Sequence, residues 1–107
     1  MQLVKQTYGL TNSLPKKEQF GLISQINRSV VSIPSNIAEG CSRTFDLELI
    51  RFLEIALGSA FELETQIIIV KEVYQIEVSE LLKSLTQLQK MINAYRSKIK
   101  ASPNTKY

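Results

Sequence analysis

The strongest chemical signal in this sequence is a set of cations near its C-terminus. Residues 81–107 contain six basic side chains and no acidic one. They are Lys83, Lys90, Arg96, Lys98, Lys100 and Lys106. Such a field can hold a phosphate backbone through counterion release, above all if several copies assemble, although a solvated helix face explains it equally well. Aromatic residues for stacking unpaired bases are sparse, so the pattern favours duplex or structured nucleic acid over sequence readout.

Charge is segregated along the whole chain. The formal net charge is +3 over 107 residues, with 13 basic and 10 acidic side chains. Residues 1–43, 44–80 and 81–107 carry +3, −6 and +6. We therefore predict a nucleic-acid site on basic residues of the first, second and fourth helical segments. Its candidate residues are Lys16, Lys17, Lys83, Lys90, Arg96, Lys98 and Lys100.

The sequence predicts no catalytic centre, because histidine is absent. The commonest general base and the commonest transition-metal ligand are thereby missing. The one cysteine, Cys41, has no imidazole to activate it, so we interpret it as an ordinary loop thiol, with a redox role as the minor alternative. We expect a protein that is not an enzyme and needs no metal or cofactor.

Glu64 is the acidic residue most in need of a partner. At 100° per residue it falls near the middle of the apolar arc of the third helical segment, where an unpaired carboxylate is costly. We expect Arg28 or Asn36 of the second segment to pair with it. Such a pair would fix the helix register, which we favour over a catalytic acid.

Neither a membrane span nor a secretory signal is apparent. The longest purely aliphatic run is residues 67–70, far shorter than a span requires, and residues 1–5 lack the pattern of a signal peptide. A lone cysteine suits a reducing compartment. We therefore expect a soluble, cytoplasmic protein that makes no membrane contact.

Hydrophobic periodicity divides the chain into four helical segments around one core. The third runs from Thr44, its predicted N-cap, to about Tyr74, and its apolar arc covers about half of the circumference. Part of this arc contacts either the other helices of the bundle or another subunit; mid-helix Gly58 would suit the close approach of another backbone. The fourth has apolar residues at alternating steps of three and four. They are Val78, Leu81, Leu85, Leu88, Ile92, Tyr95 and Ile99.

The first two segments are predicted to pack antiparallel. The first, residues 3–11, is short and needs the bundle to fold. The second starts around Pro15 and stops at Gly40, and Pro34 should kink it near Ile33. Short connections then predict an all-α, up-and-down bundle over residues 1–102, followed by a disordered tail at 103–107.

Three strings of this sequence resemble a known family. They are FGLISQINR at residues 20–28, VSIPSNIAEG at 31–40 and GSAFELETQ at 58–66, with Arg51-Phe52-Leu53 between them. They resemble the bacterial four-helix bundle proteins of intervening sequences in 23S ribosomal RNA genes, often labelled ribosomal protein S23. The match covers most of the chain, and its second and third strings are specific.

The resemblance implies a left-handed bundle that assembles into a homopentameric ring. It also implies similarity to the accessory protein of diversity-generating retroelements, a basic pentamer that binds nucleic acid and a reverse transcriptase. Family members usually carry further residues before the segment that matches Met1, so either this chain is truncated or its start is internal to the true one. The family's polar motif residues would be structural here. They are Arg28, Asn36, Glu39, Arg43, Glu62, Glu64 and Gln66.

Two function hypotheses follow. The leading one is a non-enzymatic oligomer that binds structured RNA or DNA and acts as an adaptor for a protein such as a reverse transcriptase. The alternative is a protein–protein scaffold without nucleic acid, whose acidic third helix and polar second-helix face bind a partner.

Overall fold

Four α-helices and one 3₁₀ turn make up the fold. The computed structural model describes residues 2–101, and no strand occurs among them. The helices are α1 (Gln2–Asn12), α2 (Leu22–Cys41), α3 (Asp46–Tyr74) and α4 (Ser79–Lys100), and the 3₁₀ turn is Lys16–Glu18. The predicted all-α fold with a short first helix is confirmed. The tail predicted to be disordered, residues 103–107, lies outside the described residues.

Each helix packs against two of the others. α2 lies beside α1 and α3, and α4 lies beside α3 and α1, whereas the backbones of α1 and α3, and of α2 and α4, stay apart within residues 2–101. Ser29 of α2 donates to Glu62 of α3, while Ser32, further along α2, pairs with the earlier Ser59. α2 and α3 therefore run in opposite directions, as an up-and-down bundle requires.

The core is formed by the inward stripes of all four helices. Helices α2 and α3 supply its centre, where side chains are almost fully enclosed. These central residues are Ile26, Val30, Ile33, Leu53, Leu63, Ile67 and Val70. Burying one such side chain stabilises the fold by about 1.5–3 kcal/mol, so this layer is what holds the exposed faces in place.

The second helix differs from its prediction at both ends. A 3₁₀ turn follows Pro15, and α2 begins only at Leu22. Gly40 does not stop the helix but lies buried inside it, and Cys41 is its last residue rather than a loop residue. Pro34 lies within a helix that continues on either side, so the proline does not interrupt it. The kink predicted there, and the left-handed twist of the bundle, stay predictions.

The ends of α3 follow different rules. Thr44 was the predicted N-cap, but Phe45 holds that position and provides no side-chain hydrogen bond. Its backbone carbonyl instead accepts from the amides of Glu48 and Leu49, which starts the helix. The C-terminus falls at Tyr74 as predicted, because Gln75 adopts a left-handed φ of 49° and caps the helix.

Tyr95 does not belong to the buried seam of α4. It is 42% exposed, whereas Leu85, Ile92 and Ile99 are buried. The first residues of α1 line an apolar groove together with Leu88 of α4. Leu88 lies two helical turns before Tyr95, so the described part of α1 packs beside Leu88 and not beside Tyr95. The periodicity correctly predicts which side of α4 faces inward, but not how far its neighbour extends.

Candidate nucleic-acid interface and polar motif

Three lysines form the part of the predicted basic site on α4 that is free of ion pairs. Lys83, Lys90 and Lys98 are exposed on α4, and none makes an ion pair within residues 2–101. Lys83 and Lys90 are one heptad apart, which corresponds to about 10 Å along the helix axis, and Lys98 follows after about 12 Å. This spacing places three free ammonium groups along one helix, where they can contact successive phosphates.

Arg96 and Lys100 are already engaged. No acidic residue follows residue 80 in the sequence, but the fold brings Glu54 of α3 to these two cations. The Glu54 carboxylate lies 3.4 Å from Arg96 Nη1 and 3.2 Å from Lys100 Nζ. At the C-terminal end of this basic segment, one carboxylate of α3 therefore neutralises part of the charge.

Lys16 and Lys17 lie at the opposite end of the bundle from Lys98. Both are exposed in the 3₁₀ turn between α1 and α2. Glu18 of the same turn accepts a hydrogen bond from the Tyr74 hydroxyl, which ties the turn to the end of α3. That hydrogen bond is the main reason that the pKa of Tyr74 is raised. The seven predicted cations thus extend along the molecule rather than forming one cluster.

Three residues of the polar motif meet in a cavity between α2 and α3. Arg28, Glu62 and Gln66 line this space of about 240 Å³ together with Gln25 and three serines. Gln66 is only 7% exposed, and its Oε1 accepts no hydrogen bond from the described residues. An acceptor buried in this way is costly unless a donor reaches it, and the cavity has room for a water molecule or a group of a partner to supply one.

Glu64 has a different partner from the one predicted. It lies on the side of α3 that faces α4, and its Oε1 accepts from Gln89 Nε2 at 3.3 Å. The same amide nitrogen is 3.4 Å from the Ala60 carbonyl oxygen. Neither Arg28 nor Asn36 of α2 contacts Glu64, so that prediction is wrong, because those residues lie on the other side of α3.

The remaining motif residues make local contacts. Asn36 donates to the Ser32 carbonyl at 2.8 Å and to the Ser32 hydroxyl at 2.9 Å. Glu39 and Arg43 form an ion pair one turn apart where α2 ends. The Arg43 guanidinium also lies over the Phe52 ring, 5.1 Å from its centroid. The contact of Arg43 with Phe52 joins the end of α2 to α3, whereas the hydrogen bonds of Asn36 stay within α2. The structural role of the motif residues stays a prediction.

Neither a metal-binding cluster nor a membrane-spanning helix occurs among the described residues. Among residues 2–101, no group of three or more acidic or cysteine side chains could hold a metal ion. Over the same residues, no helix is long and apolar enough to cross a bilayer. Cys41 is a free, exposed thiol.

The sequence analysis does not predict a second feature, a groove between α3 and α4 that Lys90 also lines. Phe61 of α3 is half exposed, and it lines a groove with Gln89, Lys90, Asn93 and Arg96 of α4. The four α4 residues repeat at steps of one, three and three, which places them on one side of a helix. This pattern could have been found in the sequence, but its juxtaposition with Phe61 depends on how α3 and α4 pack.

Fold and surface together define a class, that of small all-α bundle proteins with one basic helix. The family model described as 23S rRNA-intervening sequence protein matches residues 1–94. The chain belongs to this family, and the resemblance in its sequence strings is confirmed. A comparison with curated protein sequences finds no match.

Proposed function

We propose that this protein is a non-enzymatic helical bundle that assembles with copies of itself and binds structured RNA or DNA. The observation that carries the proposal is the row of free cations on α4. Lys83, Lys90 and Lys98 are exposed without ion pairs among the described residues, while Glu54 engages the other two cations of that helix. Free ammonium groups release the most counterions when they replace cations on a phosphate backbone.

The 3₁₀ turn extends this basic surface at one end. Lys16 and Lys17 are exposed there, and the Glu18–Tyr74 hydrogen bond holds the turn near the start of α4. A ligand that follows α4 along its axis, such as a duplex, would reach both ends. A compact small anion would not use this arrangement, because the cations are too far apart to converge on it.

Self-assembly is supported by the outer face of α3. Ile55, Ile69 and Val73 are between 43% and 57% exposed and recur at multiples of the helical turn on the side away from the core. A Cβ at Gly58 would have nothing within 4 Å, so no part of the single chain explains this mid-helix glycine. Exposed apolar residues in a row commonly mark an interface, and five copies is the number that the resemblance implies.

The test is a fluorescence-anisotropy titration with an RNA hairpin and a DNA duplex at about 50 and 200 mM salt. We expect binding that weakens steeply with salt. The triple variant Lys83→Glu, Lys90→Glu, Lys98→Glu should abolish it. The matched control reverses three other exposed cations, Lys5, Arg51 and Lys71, and changes the net charge equally.

Each arm has a contrary outcome. Binding that survives the α4 reversal would refute the placement of the site. Equal loss in both triple variants would show a net-charge effect without a specific surface. No binding to either nucleic acid at low salt would refute the function itself.

The cavity between α2 and α3 favours a second candidate, a protein–protein scaffold. Arg28 has no ion pair or side-chain hydrogen bond within residues 2–101, and Gln66 Oε1 lacks a donor beside it. A partner protein could complete both. The scaffold function would be favoured by a partner protein that co-purifies after nuclease treatment and no longer co-purifies with Arg28→Ala. An adaptor combines the two functions, because it binds both a nucleic acid and a protein such as a reverse transcriptase.

A further inference from the structure

A groove of about 420 Å³ runs along the outer side of the α3–α4 contact. The cavity between α2 and α3 lies on a different side of α3 and shares no lining residue with it. The volume of the α3–α4 groove is within the range of about 300–1,000 Å³ that is usual for sites of small organic groups. The groove therefore has room for a single planar group, and its chemistry indicates which one.

One wall of the groove is an aromatic ring. Phe61 projects from α3 with 51% of its surface exposed, although its neighbours Ala60 and Leu63 are fully buried. The ring lines the groove together with residues of α4 and does not join the buried core. A phenyl ring held at a groove wall offers a flat face, and base–aromatic stacking contributes about 1–3 kcal/mol per base.

The floor supplies both a donor and an acceptor. Gln89 Nε2 donates to the Ala60 carbonyl oxygen and to the Glu64 carboxylate. The side-chain oxygen of Gln89 therefore remains to accept a hydrogen bond from a ligand. Asn93 is fixed in the opposite sense, because its Oδ1 accepts from Arg96 Nη2 at 2.7 Å and leaves Nδ2 to donate. An adjacent donor and acceptor are what the hydrogen-bonding edge of a nucleobase requires.

Charge at the rim favours a nucleotide over an apolar side chain of a protein. Lys90 lines the groove and makes no ion pair within residues 2–101. Lys83 precedes it by two turns on the same exposed side of α4. A phosphate that flanks a base in the groove would therefore meet free ammonium groups.

We infer that this groove binds one unpaired nucleobase of a structured nucleic acid. The base stacks on Phe61, its edge pairs with Gln89 and Asn93, and its flanking phosphate contacts Lys90. The inference rests on the proposed function and deepens it, because the lysines alone would bind a fully paired duplex equally well. A hairpin with a bulged base presents both parts of this ligand.

The experiment compares two RNA hairpins that differ only by one bulged adenine, by fluorescence anisotropy. We expect the wild-type protein to bind the bulged hairpin about 5- to 160-fold more tightly, the range that one stacked base supplies. Phe61→Ala should lose this preference and keep its affinity for the paired hairpin. Phe61→Tyr, which preserves the ring face, should retain the preference.

Phe20→Ala is the matched control, because Phe20 is 92% exposed between the 3₁₀ turn and α2, outside the groove. Binding without a preference for the bulge, or a preference that survives Phe61→Ala, would overturn the base site and leave the proposed function standing. No binding to either hairpin would overturn both. A change in sedimentation of Phe61→Ala relative to Phe20→Ala would assign the groove to an interface between copies and likewise overturn the inference.

Discussion

Gly40 of α2 lies so close to Phe52 of α3 that a Cβ added at Gly40 would come within 2.8 Å of the Phe52 Cβ. The Leu49 side chain would be 3.0 Å away, and its backbone oxygen 3.4 Å away. A Cβ cannot rotate out of such a contact, so the two helix backbones would have to separate. The missing side chain of Gly40 thus sets the distance between α2 and α3 near the connection that joins them.

We expect Gly40→Ala to destabilise the fold by about 1–2 kcal/mol. Overpacking costs about 1–3 kcal/mol, and the gain of about 1 kcal/mol from replacing a helical glycine offsets part of it. Urea unfolding followed by circular dichroism measures the difference. A variant that is about 1 kcal/mol more stable than wild type would mean that α2 and α3 can separate without cost.

Gly58→Ala should have the opposite effect on the single chain. Because no atom lies within 4 Å of the added Cβ, the variant gains about 0.5–1 kcal/mol of helix stability. If α3 packs against another copy there, the same methyl group should weaken assembly. We therefore expect higher stability in dilute solution together with a shift towards smaller species in sedimentation at high concentration. Equal sedimentation of variant and wild type would separate Gly58 from any interface.

Glu54→Gln should strengthen nucleic-acid binding. The carboxylate now engages both Arg96 and Lys100, and its removal frees two cations on α4. Each additional phosphate contact steepens the dependence of log K on log salt by about 0.9 for a duplex. Titrations at several salt concentrations should show a steeper slope and tighter binding at low salt.

The control for Glu54→Gln is Glu72→Gln, which removes the same charge from an exposed position of α3. Glu72 makes no ion pair with a described residue. A slope that changes equally in both variants would attribute the effect to net charge alone. The surface ion pairs of Glu54 contribute at most about 1 kcal/mol, so both variants should remain folded.

The sequence predicts the elements of this fold better than their partners. Periodicity within one helix correctly assigns the end of α3 to Tyr74 and the buried face of α4. It cannot predict which helix lies on each side of an arc, so Glu64 was assigned to α2 although it faces Gln89 of α4. A helical wheel has two flanks, and only the tertiary packing decides which neighbour lies beside each.

The candidate site, like the fold, is predicted by the sequence only in part. Exposure of Lys83 and Lys90 follows from their place opposite the seam, and the structure confirms it. The neutralisation of Arg96 does not follow, because Glu54 is 42 residues away in the chain. Contacts at such separation depend on the register between two helices, which the pattern of either helix alone leaves undetermined.

The hydrogen bond from Tyr74 to Glu18 predicts a dependence of stability on pH. It raises the pKa of Tyr74 above its ordinary value of 10.0, so folding favours the protonated phenol. Its stabilising contribution is complete below about pH 10 and is lost as the pH rises through the raised pKa, where the phenolate repels Glu18. Tyr74→Phe should therefore be less stable than wild type at neutral pH, and the difference should disappear in strong alkali.

Tyr8→Phe is the control, since the Tyr8 hydroxyl makes no hydrogen bond with the described residues. Urea unfolding from neutral pH to strong alkali measures the stability of each variant, and tyrosinate absorbance follows the ionisation of the tyrosines. If Tyr74→Phe is still less stable than wild type after Tyr74 has ionised, then packing of the ring, and not the hydrogen bond, ties the 3₁₀ turn to α3.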